Sequence, residues 1–233
     1  MGAKPVYLIA GGRPPDAKQL AADLRTSLEA FGTPGPKVAY VGTASQDNKD
    51  FFRMFKEPML AAGASEVTLA PIVGEKADIN AARSTLLAAD AVFLTGGEVE
   101  DGIVWLKRTG LDALLTELYR GGKPFFGISA GAIMMGTHWV HWDVLGDDST
   151  ASLFECLNFV PMLFDAHGEN EDWSELKCAL RLLGPGATGH GLSRGGFFRA
   201  DWRGELTSYR NAPAVFKNID GRITPHNLTG ESK

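Results

Sequence analysis

The chain has 233 residues, and 44% of them are hydrophobic, which is enough for one substantial core. A formal net charge of −5, without any run of Lys and Arg, argues against a nucleic-acid partner. No stretch is long enough to span a bilayer, the start lacks the form of a signal peptide, and two cysteines do not make a disulfide framework, so we expect a cytoplasmic protein with no membrane partner.

In the first half of the chain, short apolar runs alternate with longer amphipathic stretches. The apolar runs predict buried strands at 6–10, 37–42, 67–69, 91–94 and 124–126, and the amphipathic stretches predict helices at 20–31, 51–62, 79–87, 103–107 and 111–119. Pro58 is expected to bend or break the second of these helices. The alternation predicts an α/β fold in which a mostly parallel sheet is covered by helices on both faces.

The second half has a different pattern. An acidic loop at 168–172 precedes a predicted helix at 173–183, which Gly184-Pro185-Gly186 closes. From 187 to 216, short β-like runs separated by glycines predict a β-hairpin edge on the sheet. Residues 220–233 form a polar C-terminal tail that we expect to be loosely held. Because there is no linker or repeat, residues 1–233 are predicted to form a single domain.

The most informative motif is Gly127-Ile128-Ser129-Ala130-Gly131, which follows an apolar run and precedes a helix-like one. A strand, a tight turn and a helix start would place the Ser129 hydroxyl at the tip of a sharp bend, as in a nucleophile elbow. The N–H of Ala130, just after the nucleophile, would be the first donor of an oxyanion hole. Gly96-Gly97, after a neighbouring strand, could supply the second donor or simply shape a tight turn.

A serine nucleophile needs a base, and histidine is the usual one. We prefer His167 on position alone, because it follows an apolar run whose end should gather near the elbow; the chain's histidines are His138, His141, His167, His190 and His226. The acid that orients the base stays open between Asp143, Asp165 and Glu169. A metal site at His138 and His141 lacks a defined ligand spacing, so neither a metal nor a cofactor is expected.

With these residues in place, the chain resembles the serine peptidase family of aspartyl dipeptidase (dipeptidase E) and cyanophycinase. The residues that carry the resemblance are Thr95-Gly96-Gly97, Gly127-Ile128-Ser129-Ala130-Gly131-Ala132 and Asp165-Ala166-His167. It covers nearly the whole chain and implies a three-layer α/β/α fold of the class I glutamine amidotransferase-like type. It also implies Ser129 as nucleophile, His167 as general base, and Gly97 and Ala130 as oxyanion donors.

The two branches of the resembled family differ in their third catalytic residue. In the dipeptidase branch this residue is an Asp shortly after the elbow helix, where Asp143 stands in this chain. In the cyanophycinase branch it is a glutamate in a later glycine-rich strand, where this chain has Arg194. The departure at Arg194 therefore favours Asp143.

A second departure concerns the substrate. Members of the resembled family often carry arginines after the histidine. In aspartyl dipeptidase, one of these arginines pairs with the aspartyl carboxylate of the substrate. At this place the present chain has the acidic loop that begins with Glu169. Aspartyl specificity is therefore doubtful, and Glu169 and Arg194 are predicted substrate-binding residues. We expect a serine hydrolase that acts on small peptides or isopeptides, with a non-catalytic binding or regulatory protein of the same fold as the alternative. Exposed sheet edges are compatible with a homodimer.

Overall fold

The computed structural model describes residues 2–12 and 17–226. The helices are α1 (Ala17–Ala30), α2 (Lys49–Ala61), α3 (Ile79–Ala88), α4 (Val99–Thr109), α5 (Leu111–Arg120), α6 (Ala130–Ile133) and α7 (Ser174–Leu183). The strands are β1 (Val6–Ile9), β2 (Lys37–Val41), β3 (Glu66–Ala70), β4 (Ala91–Leu94), β5 (Phe125–Ile128), β6 (His138–Trp142), β7 (Ala151–Glu155), β8 (Leu163–Ala166), β9 (Thr188–Leu192), β10 (Phe197–Ala200), β11 (Leu206–Arg210), β12 (Ala214–Ile219) and β13 (Arg222–Pro225).

The largest sheet has seven strands in the order β11-β10-β1-β5-β4-β2-β3. Its five strands from β1 to β3 are parallel, while β10 and β11 add an antiparallel hairpin at one edge. Strands β1, β4 and β5 are buried at every residue, as expected for parallel strands that are covered on both faces. The predicted α/β fold with a mostly parallel sheet and a hairpin edge is therefore confirmed.

Helices cover both faces of this sheet and bury its two hydrophobic sides separately. On one face, Leu24 of α1 and Met59 of α2 pack against Tyr40 and Phe93. On the other face, Leu86 of α3 and residues of α4 and α5 pack against alternate residues of the same strands. The alternation of side chains along each strand places neighbouring residues in opposite layers, which gives three layers.

The chain after the elbow builds two further sheets. Strands β13, β12, β9 and β8 form a four-stranded sheet in that order, and β6 and β7 form a separate hairpin. Helix α7 packs against both of these sheets. The sequence analysis placed the β-like runs of residues 187–216 on one edge of the main sheet, and this is wrong for β9 and β12, because β9 pairs with β8 and β12 in the four-stranded sheet.

Two local expectations need correction. Of the bend or break expected at Pro58, the break does not occur, because Pro58 sits in the last turns of α2, where the carbonyl left without a partner belongs to Met54 on the exposed side. The predicted tail contains β13, which pairs with β12 from Arg222 to Pro225. The rest of the tail, 227–233, lies outside the described residues. Every helix in the described ranges falls short of the length and apolar character that crossing a membrane requires.

Candidate active site

Ser129 lies at a sharp turn between β5 and α6. The central position of β5 between β1 and β4 buries the strand, and the Ser129 N–H donates to the Ile9 carbonyl at 2.9 Å. Ser129 has φ 53° and ψ −120°, a strained conformation for a residue with a side chain. The next turn needs Gly131, since a Cβ there would lie 2.1 Å from the Leu94 carbonyl oxygen. Ser129 therefore lies at a tight strand-to-helix turn, and its identification as a nucleophile elbow stays a prediction.

His167 is the histidine that meets Ser129. It follows β8 directly, and its Nε2 lies 2.8 Å from Ser129 Oγ. Its backbone adopts a left-handed conformation with φ 51°, and its N–H donates to the Leu192 carbonyl of β9 at 2.9 Å. The structure thus brings the predicted nucleophile and base within hydrogen-bond distance, although β8 belongs to the second sheet.

The two predicted oxyanion donors lie beside the nucleophile. A Cβ on Gly96 would lie 3.3 Å from the Cβ of Ser129, so the glycine loop after β4 packs directly against the elbow. Gly97 has φ 138°, and a Cβ there would lie 1.9 Å from the Ala44 carbonyl oxygen, so only glycine fits. Gly97 follows Gly96 and Ala130 follows Ser129 in the chain, and their role as oxyanion donors stays a prediction.

Asp143 lies elsewhere, and its assignment as the acid that orients His167 needs correction. Its carboxylate Oδ1 lies 3.3 Å from Nε2 of His141, whose Nδ1 lies 2.6 Å from Glu100. The physical reason is that the chain after α6 enters the β6–β7 hairpin, whose end carries Asp143 into solvent with 81% of its side chain exposed. Asp143 is therefore a partner of His141 in this structure.

The other two acids considered for this role also have different partners. Asp165 is buried, its Oδ1 accepts the N–H of Ala166 at 2.6 Å, and burial together with the neighbouring Glu175 raises its pKa to about 8. Glu169 accepts the backbone N–H of Arg194. Within the described ranges, His167 thus forms a hydrogen bond with Ser129 through one ring nitrogen and with no carboxylate through the other.

The cavity beside His167 is acidic. It has a volume of about 280 Å³, and its lining includes Asp165, Glu171 and Glu175 together with Arg194. Burial, followed by the nearby Glu98 and Glu171, raises the pKa of the Glu175 carboxyl above its usual value. The sequence analysis missed Glu98 and Glu175, although Glu98 directly follows the glycine pair and Glu175 follows the acidic loop.

Arg194 reaches the same cavity from the loop after β9. Its backbone N–H is bound by Glu169, and its side chain lies against Gly12, where a Cβ would stand 2.6 Å from its Cγ. Of the two predicted substrate-binding residues, Arg194 lines the cavity that holds His167, and Glu169 binds the Arg194 backbone.

The other histidines lie away from the nucleophile. His190 is largely buried in β9 beside Phe164, and burial lowers its pKa. His141 pairs with carboxylates, and the pKa of His141 is raised chiefly by its hydrogen bond to Glu100. His226 is exposed after β13. Over residues 2–12 and 17–226, no three side chains of the types that bind metal gather in a group that could hold an ion.

Comparisons with known proteins agree on one family. The model of peptidase family S51 matches residues 6–179. An uncharacterized peptidase of Bacillus subtilis is 25% identical over 58% of this chain and 56% of its own length, so the chain matches little more than half of that relative. A cyanophycinase of Trichormus variabilis is 26% identical over 85% of this chain and 74% of its own length.

Solved structures show the same fold. A peptidase from an acI-B1 actinobacterium superposes with a TM-score of 0.70 at 16% identity, covering 98% of this chain and 96% of that one. A proposed peptidase E protein of Listeria monocytogenes EGD-e superposes with a TM-score of 0.66 at 20% identity, covering 90% of this chain and all of that one. At these identities the likeness establishes the architecture alone.

Proposed function

The chain belongs to peptidase family S51, and from this premise we propose that it is a serine-type peptidase that hydrolyses small peptides or isopeptides. The observation that carries the proposal is the 2.8 Å contact between Ser129 Oγ and His167 Nε2 at a strained strand-to-helix turn. A hydroxyl becomes an effective nucleophile when a base within hydrogen-bond reach removes its proton.

In the proposed reaction, Ser129 Oγ attacks the carbonyl carbon of the scissile bond while His167 Nε2 takes the hydroxyl proton. The carbonyl oxygen becomes an anion that accepts hydrogen bonds from the N–H groups of Gly97 and Ala130. His167 then gives its proton to the departing amine, which leaves an ester on Ser129. Water, activated by His167, hydrolyses this ester and restores both side chains.

The proposal assigns catalysis to the Ser129–His167 pair without an orienting carboxylate. The hydrogen bond from the His167 N–H to Leu192 and the left-handed backbone at His167 fix the position of the His167 Cα and Cβ, from which the ring extends. We propose that these constraints partly replace the acid that orients the histidine in a Ser-His-Asp triad.

The charges around the site support a substrate that carries an ammonium or guanidinium group. The cavity beside His167 contains several carboxylates, and Glu175 has no hydrogen bond or ion pair among the described residues. A cation would lower the repulsion between these groups, whereas the carboxylate of an aspartyl side chain would increase it. We propose that Glu169 holds the Arg194 loop in place and that Arg194 faces the carboxylate end of the peptide.

The test is Ser129→Ala, compared with the wild type and with a control, Ser149→Ala, in the exposed loop of the β6–β7 hairpin. We expect Ser129→Ala to lower kcat on a peptide substrate by a factor on the order of 10⁶ and to keep the wild-type Tm. A fluorophosphonate probe should label the wild type and the control at Ser129. A folded wild type that is neither labelled nor active would favour the alternative of a non-catalytic binding protein.

A further inference from the structure

A second cavity lies next to the catalytic one, between the β6–β7 hairpin and the start of α7. It has a volume of about 690 Å³, and its wall includes Trp142 and Leu145 of the hairpin and Arg181 of α7. Ser174 and Glu175 line this cavity and also the cavity that holds His167. The two cavities therefore adjoin at Ser174 and Glu175.

The volumes of the two cavities bear on the size of the ligand that they can hold. At about 280 Å³, the catalytic cavity alone falls at the lower limit for small-molecule sites, which span about 300–1,000 Å³. The adjoining cavity, at about 690 Å³, falls well within this range.

The hairpin is held firmly enough to form a wall. The indole N–H of Trp142 donates to Asp148 at 3.2 Å, and Asp148 pairs with Arg181 of α7. The Val144 N–H donates to the Thr150 hydroxyl at 3.1 Å. In these bonds, polar groups of the hairpin and of α7 pair with one another. They hold the tip of the hairpin against α7, which borders the catalytic cavity.

The apolar group that remains on this wall is Leu145. It has 87% of its surface exposed, more than any other large hydrophobic residue in the described part of the chain. Val144 next to it is 57% exposed. When a ligand's apolar side chain covers an exposed apolar side chain such as Leu145, both are removed from water, which favours binding.

We propose that this second cavity is a substrate subsite, in which Leu145 and Trp142 contact the apolar side chain of a residue beyond the two that flank the scissile bond. The inference rests on the proposed function, because it takes the occupant to be the outer part of a peptide substrate. Because the two cavities adjoin at Ser174 and Glu175, we assign to the second cavity the part of a bound peptide that extends past these two residues. Leu145 is then a specificity-determining residue that favours three-residue peptides over two-residue ones.

The test uses the dipeptide Lys-Ala and its extensions on either side with Leu or Gly: Lys-Ala-Leu, Leu-Lys-Ala and the two glycine counterparts. For the wild type, we expect kcat/KM to be about 10-fold higher for one of the leucine extensions than for its glycine counterpart. Leu145→Ser should remove this preference and leave kcat/KM for Lys-Ala within about twofold. Leu87→Ser, which changes an equally apolar exposed position on α3 that lines neither cavity, should leave the preference intact.

Equal rates for the leucine and glycine extensions in the wild type would overturn the subsite, and so would a preference that survives in Leu145→Ser. A wild type that fluorophosphonate labels at Ser129 but that cleaves no member of the series would also overturn it, while leaving the proposed nucleophile in place. A wild type that is neither labelled nor active would instead overturn the proposed function itself.

Discussion

Ser129 and His167 share an uncommon backbone conformation, with φ values of 53° and 51°. Such conformations cost a residue with a side chain about 1–3 kcal/mol each and persist when the surrounding structure imposes them. At Ser129 the strand β5 and helix α6 impose it, and at His167 the bond to Leu192 does so. These backbone conformations orient the two side chains toward each other, although β5 and β8 belong to different sheets.

The turn at Ser129 could be predicted from sequence because it is local. Its strand, its glycines and its helix start lie within a few residues, so their chemistry determines the turn directly. Sequence reasoning failed at Asp143 because the partner of that side chain depends on where the β6–β7 hairpin goes after α6. The position of a hairpin relative to a helix depends on packing over the whole fold, which a distance along the chain does not encode.

The first prediction concerns Asp143. Because its carboxylate pairs with His141 in solvent, we expect Asp143→Asn to leave kcat/KM within about twofold of the wild type. An acid that orients the catalytic histidine behaves differently, since replacing it by Asn lowers kcat by a factor on the order of 10⁴. Steady-state kinetics on a cleaved peptide would distinguish these outcomes.

A variant that removes the His167 imidazole provides the reference for a loss of catalysis, against which Asp143→Asn is compared. His167→Gln should lower kcat by several orders of magnitude while the Tm stays close to that of the wild type. If Asp143→Asn lost activity to the same extent as His167→Gln, the hairpin would have to move Asp143 to His167 during the reaction. The assignment of catalysis to the pair alone would then be wrong.

At the scale of elements, the position of His167 was predicted for an incomplete reason. We expected it at the carboxyl end of a strand in the main sheet, but β8 belongs to the four-stranded sheet and pairs in parallel with β9. The apolar run before His167 predicted a buried strand correctly and could not tell which sheet it joins. Strand partners are chosen by long-range packing, so a sequence pattern identifies the strand more readily than its neighbours.

The β6–β7 hairpin is joined to α4 by His141, which gives a pH-dependent link between elements. His141 pairs with Glu100 of α4, and this bond raises the pKa of His141. A raised pKa in the folded state means that the bond stabilises the fold below the unfolded-state pKa of about 6.5. This stabilisation is lost as pH rises through the folded-state pKa. We therefore expect His141→Gln to lower the Tm more at pH 5.5 than at pH 9.

A double-mutant cycle with Glu100 isolates this link. Glu100→Gln should lower the Tm at pH 5.5 in the wild-type background and have little effect when His141 is already Gln. At pH 9 the two single variants should resemble the wild type in Tm. Equal differences at both pH values would show that His141 contributes by packing and that its charge is unimportant.

At the scale of the whole molecule, Ser129 and His167 lie where the two larger sheets meet. The family model ends at residue 179, within α7, yet strands after that point complete both sheets. Strand β9 supplies the Leu192 carbonyl that holds the His167 backbone, and β10 pairs with β1 beside the elbow strand. The C-terminal quarter of the chain therefore supports the site without contributing the nucleophile or the base.

The last prediction follows from this arrangement. A chain ended after Gly186 would expose the partners of β9 and β10 and leave Ile9, which binds the Ser129 N–H, in an edge strand. We expect such a chain to lose cooperative unfolding and fluorophosphonate labelling together. Phe198→Ala in the full chain should lower the Tm, because Phe198 is completely buried in β10 and its loss leaves a cavity that costs about 3–5 kcal/mol. Circular dichroism melts would measure the first effect, and the labelling rate of Phe198→Ala should stay near that of the wild type well below its Tm. A truncated chain that melts cooperatively and is labelled at the wild-type rate would show that residues up to 186 form the site alone.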